Sequence, residues 1–129
     1  MNGKFLLDTN IVIAIFAGER KVVQRLRRAA IVHLPSVVVG ELLYGALKSG
    51  QVRSNMERIE EFVVASAVLP CDLDTARHYG LIKYRLHRKG RPLPDNDLWI
   101  AALAQQHGVT LISRDAHFRQ INNLKLDAW

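Results

Sequence analysis

Four carboxylates stand where the chain can put them to chemical use: Asp8, Glu41, Asp97 and Asp115. Asp8 closes the apolar run in KFLLDTN, and Asp115 follows a second apolar run at residues 109–113. Asp97 falls in the first turn of a helix expected after Pro94, and Glu41 about one turn inside a helix expected from Ser36. Asp8 and Asp115 also suit helix caps, and Asp97 suits the positive end of a helix. Glu41 is harder to explain as scaffolding. Val37, Val38, Leu42 and Tyr44 around it are apolar, so its carboxylate borders a face that should be buried, where an uncompensated charge is costly. Carboxylates gathered without interleaved Lys or Arg repel one another, and a hard divalent cation relieves that repulsion. Oxygen-only donors point to Mg2+ or Mn2+, ions that keep waters and leave positions for phosphate oxygens. The chemistry they suit is phosphodiester hydrolysis, with one or two ions. Thr9, Asn10 and Ser113 stand beside the acids and can hold their remaining oxygens, although as turn residues they need no special role.

Other chemistries find less support. The histidines, at positions 33, 78, 87, 107 and 117, show no HExxH or other metal-ligand spacing, so none is expected to be a ligand. Cys71 and Met56 sit in apolar stretches and are expected in the core, as is Trp99, whose alternative is to stack on a base. No Gly-rich phosphate loop, nucleophile elbow or Cys/His pair is present. A phosphotransfer domain of the dehalogenase type also carries Asp after its first strand, but needs a second acid two residues on, where this chain has Asn10.

The elements that must position the acids read as an alternation of short strands and helices. Apolar runs at 4–8, 31–34, 68–71 and 109–113 predict strands, with a further alternating segment at 124–126. Helical spacing appears at 11–17, at 22–30, from a Ser36 cap to Gly50, at 53–65, from an Asp74 cap to about Lys89, and from an Asp95 or Asn96 cap to Gly108. A short helix is expected around 116–121. This pattern predicts a three-layer α/β/α sandwich with a mostly parallel central sheet. In such a sheet the loops after the strands' carboxyl ends share one edge, and ligands bind there. Asp95 lies two residues from Asp97, about 200° away around a helix, so the two should not serve the same ion.

The 129 residues carry 49% hydrophobic and 23% charged side chains with few Pro and Gly, enough for one domain, residues 1–129, with its own core. The single Cys allows no internal disulfide, the N-terminus lacks a signal-peptide layout, and no apolar run is long enough to span a membrane. A cytoplasmic protein is expected. Its net charge of +6 suits a polyanionic partner, and the charge is grouped. No acid occurs from Arg20 to Gly40 or between Asp74 and Asp95. Arg25 and Arg28 in the first block, and Arg85, Arg88, Lys89 and Arg91 in the second, are the candidates for a phosphate-binding surface, against the plainer reading of solvated helix faces.

FLLDTNIVI, SVVVGELLYGALKSG, NDLWIAALA and LISRDAHFRQINNL, in that order and closed by Trp129, make the chain resemble the PIN-domain family, and within it the VapC-type ribonuclease toxins. The resemblance implies a Mg2+- or Mn2+-dependent endoribonuclease, usually a homodimer. It also implies inhibition by a VapB-type antitoxin whose tail covers the active-site groove, with DNA met only through that antitoxin. The family's acids fall on Asp8, Glu41, Asp97 and Asp115, the last being the variable one, and Ser113 stands where Thr is common. The reading from another class is a noncatalytic RNA- or protein-binding module of the same fold, its acids serving as caps and partner contacts.

Overall fold

A computed structural model of the chain describes residues 3–129. Its elements follow in the order β1 (Lys4–Leu7), α1 (Thr9–Phe16), α2 (Arg20–Arg28), β2 (Ile31–Pro35), α3 (Ser36–Leu47), α4 (Val52–Val64), β3 (Ala67–Leu69), α5 (Leu73–Arg88), α6 (Asp95–His107), β4 (Thr110–Ile112), a 3-10 turn (Ala116–Gln120) and β5 (Leu126–Asp127). The strands form one sheet in the order β3-β2-β1-β4-β5, and every pairing is parallel. Right-handed crossovers, the rule for parallel strands, carry the chain from β1 through β2 to β3 with α1–α4 on one face, and then back to β4 with α5 and α6 on the other. The result is the expected α/β sandwich.

The strand order reverses direction between β1 and β4, and a crevice opens at that point beyond the carboxyl ends of the strands. Leu6 pairs with Leu111 and Leu7 with Ile112, and Asp8 continues the ladder by donating its N–H to the Ile112 carbonyl at 3.0 Å. That register sets Asp8 beside Ser113. Leu6, Leu7, Leu111 and Ile112 are fully buried, because a sheet covered on both faces leaves no solvent side for alternation. Ile11, Val12, Leu34, Val38, Ile100, Leu103 and Phe118 complete the core around them. The ends of the strands cannot slip without exposing this layer.

Several boundaries differ from expectation for local reasons. Asp72, not Asp74, caps α5: its carboxylate accepts from Thr75 N at 3.0 Å, and Thr75 Oγ1 accepts from Asp72 N at 2.9 Å, a reciprocal box. Asp74 instead pairs with Arg77. α3 and α6 start directly after prolines, Pro35 and Pro94, so Ser36 and Asp95 are first helical residues rather than caps. Gly108 ends α6 with φ 64°, the left-handed conformation that a Cβ makes costly. The last strand falls at Leu126–Asp127, and Cys71 lies exposed just past β3 rather than in the core. Among the described residues, no helix is long and apolar enough to cross a membrane.

Candidate active site

Asp8 sits at the crevice because it is at once the last residue of the β1 ladder and the cap of α1. Its Oδ1 accepts from Thr9 N at 2.8 Å, and its Oδ2 accepts from Ser113 Oγ at 2.7 Å. The capping reading and the site reading are therefore one arrangement. Asp8 is only 6% exposed, and both oxygens are held by donors that fix the carboxylate's plane. Asn10 Nδ2 reaches Ser113 Oγ at 3.4 Å, and Asn10 Oδ1 accepts from Arg114 N at 3.2 Å, tying α1 to the segment after β4. Ser113 Oγ also accepts from Asp115 N at 3.1 Å. Thr9 turns the other way, its Oγ1 donating to Glu41 Oε1 at 3.2 Å. The three hydroxyl and amide side chains thus link Asp8, Glu41 and the backbone of Asp115.

Asp97, in the first turn of α6, and Asp115 meet through a residue that sequence reasoning passed over. His117 Nε2 lies 2.8 Å from Asp97 Oδ2, and its Nδ1 3.0 Å from Asp115 Oδ1. Ligand atoms of Asp97, Asp115 and His117 all lie within 4.8 Å of one another, a spacing that could hold a metal ion. His117, for which no ligand role is expected from the sequence, thus stands within reach of two of the acids. The available signal was Asp115-x-His117 directly after a strand whose end already carried an acid. It carries no helical spacing, because the 3-10 turn from Ala116, anchored by the fully buried Phe118, makes the pair converge.

The electrostatics tie the acids into one field. Burial pushes the Asp97 carboxyl above its ordinary value; the His117 ring opposes this, and the charges of Asp8 and Asp115 add to it. Burial likewise raises Glu41, against the Thr9 hydrogen bond, and Asp8 and Asp97 raise it further. Asp8 and Asp115 are thus near enough to disfavour ionisation of Asp97, and Asp8 and Asp97 near enough to do the same to Glu41. Asp95 is excluded from this group: its Oδ1 accepts from Tyr79 OH at 2.8 Å and pairs with Lys83 Nζ at 3.1 Å, on the side of α6 that faces α5. Trp99 stacks on Tyr79 with ring centroids 4.0 Å apart.

The basic residues are more dispersed. Arg25 Nη2 meets Asp127 Oδ2 at 3.1 Å, with both side chains about half exposed. Arg28 and Arg91 are exposed, and Arg88 lies over the Tyr84 ring. Lys89 donates to the Gln120 carbonyl at 3.0 Å. Arg85 lines a hollow with Gln105, Gly108 and Asn122, toward the end of α6 opposite Asp97, about 16 Å away along the helix at 1.5 Å per residue. An apolar groove of about 320 Å³ opens beside Thr9 and Glu41, walled by Ile13, Phe16, Leu42 and Ile59 with Arg58 at its rim.

The chain is thus a parallel α/β sheet with carboxylates gathered at its topological switch point. Residues 5–124 match the PIN domain family, and the chain belongs to that family. Ribonuclease VapC2 of Haemophilus influenzae is 34% identical, with 98% of each chain covered. The tRNA(fMet)-specific endonuclease VapC of Shigella flexneri is likewise 34% identical over 98% of both. Among solved structures, VapBC2 of Rickettsia felis bound to a DNA fragment from its promoter superposes with a TM-score of 0.92 at 28% identity, covering 98% of each chain.

Proposed function

We propose that this chain is the endoribonuclease toxin of a toxin–antitoxin pair, hydrolysing RNA phosphodiester bonds with the help of a divalent ion, Mg2+ or Mn2+. The observation that carries the reading is the convergence of Asp8, Glu41, Asp97 and Asp115, drawn from four separate segments, into one field at the sheet's switch point. The donor set fits a hard cation: Asp97, Asp115 and His117 offer ligand atoms within 4.8 Å of one another, and burial together with the neighbouring acids makes ionising Asp97 and Glu41 costly unless a cation is present. Asp8, Asp97 and Glu41 would hold the ion, and Asp115 would complete or adjust the site. When bound, such an ion supplies a water of lowered pKa and charge stabilisation at the phosphoryl oxygens. Ser113 and Thr9 fix the carboxylates of Asp8 and Glu41 so that little reorganisation accompanies reaction. Full-length likeness to named ribonucleases supports the activity.

The partner is a VapB-type antitoxin, as in the solved VapBC complexes. The groove of Ile13, Phe16, Leu42 and Ile59 leads directly to Thr9 and Glu41, so an antitoxin tail laid along it would also block the acids. DNA is then met through the antitoxin, and two copies of the chain form the working dimer in the cytoplasm. Arg25, Arg28, Arg85, Arg88, Lys89 and Arg91 are all exposed and would hold the RNA backbone. The decisive test is cleavage of purified RNA, initiator tRNA included, by the wild type and by Asp8→Asn and Asp97→Asn. Each substitution should lower cleavage by about a hundredfold or more, as loss of a group central to transition-state stabilisation does, while circular dichroism stays native. Full activity in either folded variant would reject the assignment of these acids to catalysis, and no cleavage by the wild type across a metal titration would favour the binding module.

A further inference from the structure

We propose that His117 is a nitrogen ligand of the ion held by the acidic cluster, that Asp115 acts by holding its imidazole, and that the site consequently favours Mn2+ over Mg2+. The inference rests on the metal-dependent reading above. His117 Nε2 and Asp97 Oδ2 are 2.8 Å apart, yet Nε2 is shut off from solvent and has no aligned hydrogen-bond partner. With the imidazole proton on Nδ1, Nε2 and the Asp97 oxygen would be two electron-rich atoms at a distance that suits a shared cation. The spacing is also that of neighbouring corners of an octahedron, about 3 Å for metal–ligand bonds of about 2.1 Å.

The rest of the imidazole is arranged as metal-bound histidines usually are. Its other nitrogen, Nδ1, faces Asp115 Oδ1 at 3.0 Å, the position from which a carboxylate orients a metal-bound imidazole through its second nitrogen. Asp115 is itself held, through its N–H to Ser113 Oγ and through its carbonyl, which accepts from Phe118 N. The buried Phe118 locks the turn that carries His117. An imidazole among carboxylates raises affinity for Mn2+ more than for Mg2+, which takes nitrogen donors poorly. The chain thus carries, two residues beyond its fourth acid, a donor that changes which ion the site selects.

Pulsed EPR on the intact protein, stripped with chelator and reloaded with Mn2+, reads this directly. Modulation from a coordinated imidazole nitrogen is expected in the wild type and lost in His117→Asn and His117→Gln. Calorimetry on the same proteins should show Mn2+ affinity falling about tenfold and Mg2+ affinity less than about threefold, given the softer ion's greater gain from nitrogen. Nitrogen modulation that is absent, or that persists in both variants, overturns the proposal, as does an unchanged Mn2+ to Mg2+ affinity ratio. Mn2+ binding that is lost in Asp97→Asn but shows no nitrogen coupling in the wild type defeats the histidine assignment alone. A wild type that binds neither ion defeats the metal reading with it.

Discussion

Asp97 and Glu41 show at the level of single side chains how the fold stores charge repulsion. Both carboxyls are raised, burial being the largest cause. A carboxyl whose folded value lies above its unfolded one contributes stability that is fully present below the unfolded value, and loses it as pH rises through the folded value. At neutral pH the metal-free protein therefore carries a penalty, which the proposed divalent ion would relieve. Asp97→Asn should accordingly raise the melting temperature measured in chelator. Mg2+ or Mn2+ at about a hundred times its dissociation constant should stabilise the wild type by about 2.7 kcal/mol, and the variant by distinctly less. Equal melting curves with chelator and with ion would show that the acids are not coupled to a metal.

Among the elements, β2 carries a titratable group that the site does not use. His33 pairs in register with Leu6 of β1 and Ala67 of β3, and its Nδ1 is buried without a partner. Burial lowers its pKa below 6.5, and His107 and Lys4 lower it further, against a hydrogen bond that the ring donates to the Ala67 backbone. The neutral ring is thus the native form. The associated stability is present above the unfolded value of about 6.5 and is lost as pH falls from there toward the folded value. Urea unfolding of wild type and His33→Gln, followed from about pH 7.5 down to about pH 5, should show the wild type losing more stability. Parallel curves would mean that the strand tolerates the charged ring. The α5–α6 pair is joined differently, by the fully buried Thr75, which bridges the α5 cap to Gln106. That polar anchor lay outside what the apolar spacing of either helix indicated.

For the molecule as a whole, the positive charge is grouped in sequence but divided in space, between α2 beside β5 and the end of α5. An RNA strand that reaches the acids between them would release counterions from both. Arg25→Gln with Arg28→Gln, and separately Arg88→Gln with Arg91→Gln, should each weaken RNA binding. Each pair should also flatten the dependence of log K on log salt by about 1 for every phosphate that is no longer neutralised. Arg25 remains available for this role despite its pairing with Asp127, because an ion pair half exposed to water is weak enough to exchange. A variant pair whose salt slope matches the wild type lies off the RNA path. The groove beside Glu41 sets a second whole-molecule constraint: its walls come from α1, α3 and α4 together, so a partner bound there senses how these helices are assembled.

The layered α/β fold and the four acids of its candidate site were legible in the chain, because strand length, helical spacing and strand-end position are local properties that a linear pattern records. Asp8 could be placed at the working edge since a residue ending a buried parallel strand has nowhere else to go, and Glu41 betrayed itself by standing among apolar neighbours. Cys71 misled because an apolar run does not reveal where its strand ends, and Asp72 escaped notice because a cap is defined by which N–H turns toward it. Only the tertiary structure could bring His117 between Asp97 and Asp115. That meeting depends on parallel pairing of β1 with β4 and on Phe118 anchoring a tight turn, and encounters across such separations leave no period in the sequence.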